Sequence, residues 1–587
     1  MPCDKRIPGN HVPCSLLAII TIFLSTIVHA QTGVSQTPAD LILKNGKIYT
    51  DRLEGRTWSQ ALSVRGSNIQ TIGSNQAIET EKGPLTKVID LKGRVVLPGF
   101  NDAHLHFFSG GLGFSRVDLV GITNIPQLQD RLKIYAAANP SKPWVFGQGW
   151  DHTALKEKRH PNKIDLDAIL TDRPVMLNHL DGHLVVVNSK ALELLGIEKE
   201  TPDPEGGRIE KNELGEPTGI LIEAAAWNAM AKVDKPSVDE LRTAFKMAQE
   251  EAHKFGLTSI QGGPWLGEHE LKVLEEMHKA DQLRIRYSIW GELERPNEYL
   301  ELRKKYRQLP EEWVRLDTLK GFVDGVLSMR TAALTEPYAD DKKTKGEPLY
   351  PQDKLNELVL TANRLGLTVA LHAVGDRAVS MSFAALAKAK RQLFNSRVRN
   401  RIEHMEVIPK YLFPKFTEFN IIASVQPSHL IYENESKNYN DARLGPKRVK
   451  DAFAWKSLIR EKAHLAFGTD WPVMPLNPFL GIYGAVHRQH YNGKPRGGWQ
   501  PAQRIILEQA IEAYTLGPAY ATREEHVKGS IREGKYADLV ILEKDPFQAK
   551  GKDLLKVSVS TTIVAGKIVY DTSVPMIGPA PSASPKP

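Results

Sequence analysis

Cysteine is almost missing from this chain: Cys3 and Cys14 are the only two in 587 residues. Both precede Ala30, where a leader-like segment ends. Residues 1–14 are polar and carry Lys5 and Arg6, residues 15–28 are nearly all apolar, and Val28-His29-Ala30 closes on the small residue that a signal peptidase needs. A cut after Ala30 leaves a mature chain without a thiol, which suits an oxidising compartment and excludes a cysteine nucleophile or thiolate metal ligands. Long apolar runs are also missing. The stretch 15–28 is shorter than the roughly 20 residues that span a bilayer, so cleavage is favoured over an uncleaved anchor and no stable membrane span is expected afterwards. Dense runs of one charge are missing too. The formal charge of +8 falls to +7 once Asp4, Lys5 and Arg6 leave, and acids and bases intermix along the chain. No cluster of Lys or Arg is dense enough for a nucleic-acid footprint. The chain reads as exported, to the periplasm or the extracellular space.

What is present is enough apolar residue, 41% of the chain, to bury a large core. Short β-branched runs alternate with amphipathic stretches, the pattern of a parallel sheet built from βα units. Strands are expected at 95–97, 257–261, 284–290, 319–323, 367–372, 401–404, 421–425 and 465–467, with helices at 238–255 and 354–365. Eight such strands imply an α/β fold, a (β/α)8 TIM barrel. Residues 39–49 read as two short strands joined at the Asn45-Gly46 turn signal, and 536–542 with 563–570 repeat that grammar at the far end. Strand edges from both ends can cover one another, so a small composite β-sandwich is expected. The segment 112–233 is too long for one βα loop and carries the turn-rich Pro202-Asp203-Pro204-Glu205-Gly206-Gly207, so it reads as an inserted cap over the barrel mouth. The expected domains are a signal peptide (1–30), the N-terminal part of the sandwich (38–97), the barrel (98–525, cap at about 112–233), the C-terminal part of the sandwich (526–572), and a disordered tail (573–587) rich in Pro, Ser and Ala.

Five short motifs, in order, put candidate metal ligands at the ends of expected strands. They are His104 and His106 in Asp-Ala-His-Leu-His, Lys320 in Leu-Lys-Gly-Phe-Val-Asp-Gly, His372 in Ala-Leu-His-Ala-Val-Gly-Asp, His404 in Arg-Ile-Glu-His, and Asp470 in Phe-Gly-Thr-Asp-Trp-Pro. Residues two apart on a strand point to the same side, so His104 and His106 can share an ion. A His-X-His pair alone is weak. The spacing of the others by one or two βα units strengthens it, because in such barrels functional side chains converge at the C-terminal ends of strands. Lys320 sits in apolar strand text, where burial lowers an amine's pKa and favours the neutral form. A neutral amine can add carbon dioxide to give a carbamate whose two oxygens bridge two ions. The other reading is an unmodified lysine paired with Asp324.

Over nearly the whole mature chain these motifs resemble the amidohydrolase superfamily, specifically amidohydrolase family 3, which includes N-substituted formamide deformylases. The resemblance extends to Asp-Gly-His-Leu-Val-Val-Val-Asn-Ser-Lys-Ala-Leu at 181–192, to Arg330-Thr-Ala-Ala-Leu with Glu336-Pro-Tyr, and to His372-Ala-Val-Gly-Asp-Arg-Ala. It implies a metal-dependent barrel with a composite sandwich that hydrolyses carbon-nitrogen bonds other than ordinary peptide bonds. It also implies that His104, His106, Lys320, His372, His404 and Asp470 occupy the zinc-ligand positions. One departure is Gly325-Val-Leu-Ser-Met-Arg330, where relatives usually have a Gly-Ser-Leu-Gly-Ser-Arg type of loop. That change bears on substrate identity more than on catalysis.

The mechanism expected is hydrolytic. One or two Zn²⁺ ions lower the pKa of a bound water to about 7, and the resulting hydroxide attacks an amide, formamide or cyclic amide of a small molecule. Mn²⁺ and Fe²⁺ stay open, since nitrogen and oxygen ligands also suit them. Asp470 takes the water's proton and returns it to the departing amine. His183 is a candidate contact from the cap to the substrate carbonyl, with a capping or cap-core role as the alternative. Trp150, Trp265, Trp290 and Trp471 lie near element ends; Trp471 is favoured as a pocket wall and the other three as packing, with Trp150 kept among the substrate candidates. Arg330 either binds a substrate carboxylate or pairs with Glu336 or Asp376. Two rival functions stay open: an isomerase or lyase that uses the same centre to abstract a proton, and a catalytically silent binding protein. A homo-oligomer stays open as well.

Overall fold

The structure, a computed structural model, describes residues 37–51, 57–233, 235–263, 267–431 and 439–573. The expected signal peptide with both cysteines, Trp265, and all of the expected tail after Ser573 lie outside the described residues. The fold is α/β. Among the described residues, eight strands run parallel: β1 (Phe100–Leu105), β2 (Leu257–Gly262), β3 (Arg286–Ile289), β4 (Thr318–Phe322), β5 (Thr368–Ala373), β6 (Arg401–His404), β7 (Ile422–Val425) and β8 (Leu465–Phe467). β1, β2 and β3 pair in sequence order, and β4 through β8 do the same. The chain bridges β3 and β4 with short parallel pairs, Gly291 opposite Leu319 and Tyr287 opposite Val314. Just past β8, the Asp470 amide donates to the His104 carbonyl at 2.7 Å, so the last strand meets the first.

These strands are buried along nearly their whole length on both faces, which is why they read as near-continuous apolar runs. Helices cover the outside. Val238–Lys254 starts on a capping box between Ser237 and Glu240 and buries Leu241, Ala244, Phe245, Ala248 and Ala252 at helical spacing.

The expected strand at 95–97 forms, but not in the parallel set. Val95–Pro98 pairs with Lys47–Asp51 and with Leu539–Leu542, in a sheet built from both chain ends. The strand that carries His104 is the next one, β1. The corner between them is Gly99, where a Cβ would stand 2.3 Å from the Thr258 side chain. A four-stranded sheet from residues 39–90 shares one core with that terminal sheet, through Leu41, Leu43, Val64, Val96, Leu539 and Ile563. The two strands flanking Asn45-Gly46 go to different sheets, with Asn45 at φ +58°.

Residues 117–223 form their own six-stranded mixed sheet. Leu184–Val187 is buried on both faces, with separate apolar clusters on either side. This sheet and the ends of the parallel strands wall a cleft of about 2970 Å³. Few small ligands need more than roughly 1,000 Å³, so the space is a broad cleft with the reactive groups at one part of its wall. No helix of the described residues is long and apolar enough to cross a membrane.

Candidate metal centre

The sequence of β1, Phe-Asn-Asp-Ala-His-Leu, is unusually polar for a buried strand, and the Asp102 and His104 side chains are both held by hydrogen bonds. Asp102 accepts from the Thr469 hydroxyl at 2.6 Å and from the amides of Thr469 and His104, which ties β1 to the turn that carries Asp470. Burial pushes the Asp102 carboxyl up to about 7 against those donors. His104 turns Nδ1 to Glu403 Oε2 at 2.7 Å, which leaves Nε2 3.2 Å from Lys320 Nζ and 3.5 Å from Asp470 Oδ1. A carboxylate on one ring nitrogen fixes the tautomer and leaves the other as a lone pair. His106, just past the strand, puts Nε2 3.1 Å from the same Asp470 oxygen.

His104, His404 and Asp470 offer ligand atoms that all lie within 4.8 Å of one another. The rings of His372 and His404 are 4.4 Å apart, but His372 Nε2 faces the Gly325 carbonyl at 3.0 Å. His372 and Lys320 therefore flank this compact group. Burial is the main cause that depresses the imidazolium forms: His104 falls to about 4, and His372 and His404 fall well below the ordinary range. Asp470 is the reverse case. Burial opposes its charge, but His106, His429 and His104 hold its carboxyl well below the usual range. The result is one carboxylate beside the neutral rings of His104 and His404, and its Oδ1 is buried without an aligned hydrogen-bond partner. That orphaned anionic oxygen, beside nitrogen lone pairs, fits a divalent cation.

Lys320 is buried, and burial pulls its amine down to about 8 against the pull of Glu403 and Asp470. It does not pair with Asp324. That carboxylate is taken by the amides of Ala333, Val374 and Gly375 at 2.8–2.9 Å.

His183 reaches the cleft from the six-stranded sheet of residues 117–223, 5.3 Å ring to ring from His372. Its Nδ1 lies 2.7 Å from Glu223 Oε2. Burial alone would depress the ring, but Glu223 outweighs it and raises His183 to about 9, so it carries a proton at neutral pH. Glu223 holds a strained backbone, φ +52° and ψ −123°, and a Cβ on Gly325 would come within 2.2 Å of its Oε1. A charge effect follows. Glu223→Gln removes the carboxylate, and if His183 acts in turnover, the alkaline limb it would give to kcat/KM is expected to move acidward by at least about one pH unit; a limb that stays in place argues for a purely structural His183. The stability that Glu223 lends through this raised pKa is full below about pH 6.5 and is lost as pH rises through about 9, so the gap between wild type and variant should close over that window.

Trp471 lines the cleft, packed edge-on to Phe107. Trp290 packs under the centre, 5.5 Å from the His104 ring. Two substrate candidates are corrected. Trp150 is fully buried in an apolar cluster of the six-stranded sheet, donating to the Leu177 carbonyl at 3.1 Å, and does not line the cleft. Arg330 makes a two-pronged contact with Asp340, rather than with Glu336, Asp376 or a ligand in the cleft.

Other groups escaped the sequence reading. Arg401 and Glu403 lie within a quoted motif, and two opposite charges in a strand that must be buried were the available signal. Arg401 donates to Glu403, to Gln261 Oε1 at 2.7 Å, to the Ala103 carbonyl at 2.7 Å and to Ser424 Oγ at 2.6 Å. His429, 3.4 Å from Asp470 Oδ2 and 3.7 Å from Glu406, resists burial to reach about 9. Nothing in its Gln-Pro-Ser-His-Leu surroundings marks it.

An α/β chain that gathers histidines and one aspartate at the ends of parallel strands belongs among the metal-dependent hydrolases. The amidohydrolase family model matches residues 87–570, and this chain belongs to that family. It is 32% identical to the putative amidohydrolase YtcJ of Bacillus subtilis (strain 168), over 91% of this chain and 99% of that one. It is 26% identical to the N-substituted formamide deformylase of Arthrobacter pascens, over 91% and 98%. Among solved structures it resembles an uncharacterized metal-dependent hydrolase from Pyrococcus horikoshii OT3, with a TM-score of 0.71 and 28% identity over 87% of this chain and 99% of that one.

Proposed function

We propose that this protein is an exported, zinc-dependent amidohydrolase that cleaves non-peptide carbon-nitrogen bonds in small amides, formamides or cyclic amides. In this reading β1 to β8 form one (β/α)8 barrel, the terminal sheets a composite sandwich, and residues of about 112–233 its cap. The observation that carries the function is Asp470 Oδ1, a buried carboxylate oxygen without an aligned hydrogen-bond partner beside the neutral rings of His104 and His404. The formamide deformylase relative supports the choice of bond.

His104, His106, His404 and Asp470, with His372 and Lys320 beside them, would hold one or two ions. Such an ion lowers the pKa of a bound water to about 7 and polarises a carbonyl oxygen. The chain supplies the rest. Asp470 orients the attacking water, accepts its proton and passes it to the departing amine. The protonated His183, braced by Glu223, donates a hydrogen bond toward the substrate carbonyl oxygen. Glu403 and Arg401 fix the His104 tautomer. Trp471 and Phe107 give the cleft an apolar wall that keeps water from the leaving group. The Lys320 amine, pulled down to about 8, is neutral often enough near physiological pH to take up carbon dioxide as a bridging carbamate.

Elemental analysis of the purified mature protein beside Lys320→Ala, with hydrolysis of a formamide and amide panel, tests this reading. About two zinc equivalents in the wild type, fewer in the variant, and turnover by the wild type are expected. One equivalent at this centre, unchanged by the mutation, means a mononuclear centre with Lys320 outside it. Metal-free protein without turnover overturns the proposal in favour of a binding role.

A further inference from the structure

A second group of metal-ligand side chains lies in the cap, apart from the strand-end centre. Asp151, His152 and His179 present ligand atoms that all fall within 4.8 Å of one another. His152 Nδ1 and His179 Nε2 face each other at 3.1 Å, and each lies 3.9 Å from Asp151 Oδ1. Ligand atoms around a tetrahedral ion with bonds of about 2.0–2.1 Å stand roughly 3.3 Å apart, so closing this triangle on an ion takes shifts of a few tenths of an ångström.

The surroundings match what metal-bound histidines have. His179 Nδ1 lies 2.8 Å from Asp181 Oδ1, a carboxylate that orients the ring with Nε2 facing the triangle. His160 stacks beside His152, ring centroids 4.3 Å apart, and its Nδ1 is buried with no hydrogen-bond partner. That nitrogen is an orphaned donor or acceptor that a ligand role would satisfy.

We propose that Asp151, His152 and His179 form a second divalent transition-metal site in the cap, selective for Zn²⁺-like ions over Ca²⁺ or Mg²⁺. Imidazole nitrogens with a single carboxylate suit zinc, whereas the hard cations demand oxygen. Asp151, His179 and Asp181 line the same cleft as His183. Asp181 accepts the His183 amide at 3.0 Å and lies 3.3 Å from Ser328 Oγ. An ion here locks the arm from His179 to His183 and its contact with the loop 325–330, so the site stiffens the wall that carries His183.

The test compares metal content after chelator stripping and re-equilibration of the mature protein against micromolar free Zn²⁺, for the wild type, His152→Ala and His179→Gln. Each variant is expected to retain one equivalent fewer than the wild type, and to lose one of the Zn²⁺-dependent increments in melting temperature. The same experiment with Ca²⁺ should give no difference. Equal zinc content in the wild type and both variants overturns the site. His152 is partly exposed, so its variant carries the result where His179→Gln folds poorly. Because the readout is a difference, it holds whatever number of ions the strand-end centre contributes, and the two readings fail separately.

Discussion

Asp470→Asn is expected to lower kcat by roughly 10²–10⁴-fold, the range that a positioned acid-base group supplies, while the protein stays folded. The choice of Asn matters. Asp470 sits at φ +61°, a left-handed conformation that Asn tolerates nearly as well as Asp and that Ala adopts only under strain. Its amide donates to His104 and its turn hangs on Asp102 through Thr469, contacts that the side-chain change leaves alone. What Asn loses is the charge and the ability to take a proton. The charge was stabilised by His106, His429 and His104, so His429 should fall from about 9 toward the ordinary histidine value once its nearest carboxylate is gone. Steady-state kinetics with a melting curve checks both halves. Turnover within a few-fold of wild type would remove Asp470 from proton transfer, and in the folded variant histidine NMR on His429 reads the lost charge directly.

The parallel strands were legible where their text is apolar. Leu367 to Ala373 and Ile421 to Val425 are buried on both faces, and continuous β-branched runs report that. β1 was legible only through the His-Leu-His spacing and not through its strand text, because Asn101, Asp102 and His104 have low strand propensity and the apolar 95–97 next to it looked the better candidate. The physical reason for that miss is functional: β1 buries polar residues because Thr469, Gln261 and Glu403 satisfy them. Candidate ligands were found from single motifs, each readable within a few residues. Their supports come from far along the chain, Glu223 against His183 at a separation of 40 residues and Glu403 against His104 at 299, and no local period encodes such pairs. Arg330 shows the same limit, since its partner Asp340 becomes visible only when the loop closes.

Glu403→Gln is expected to cost about 3–5 kcal/mol of stability and about 10–100-fold in metal affinity, by two separable routes. The first is charge. Arg401 and Glu403 are both buried, and neutralising the acid leaves a guanidinium inside the fold with hydrogen bonds but no counter-charge. The second is orientation, because the amide no longer holds the His104 ring with Nδ1 protonated and Nε2 free. A double variant separates them. Arg401→Met with Glu403→Gln removes the stranded charge, so urea denaturation should show much of the stability restored, whereas chelator titration should show the metal affinity still low. The acid side gives a second check. Burial raises the Glu403 carboxyl, but Arg401 and then His104 bring it down to about 2, below the ordinary value near 4.3. A depressed carboxylate contributes stability that is complete above its unfolded pKa and is lost as pH falls through the folded one, so wild type and Glu403→Gln should converge between about pH 4.3 and 2. If the double variant recovers stability and affinity together, His104 does not need the carboxylate, and the Glu403 contact belongs to packing alone.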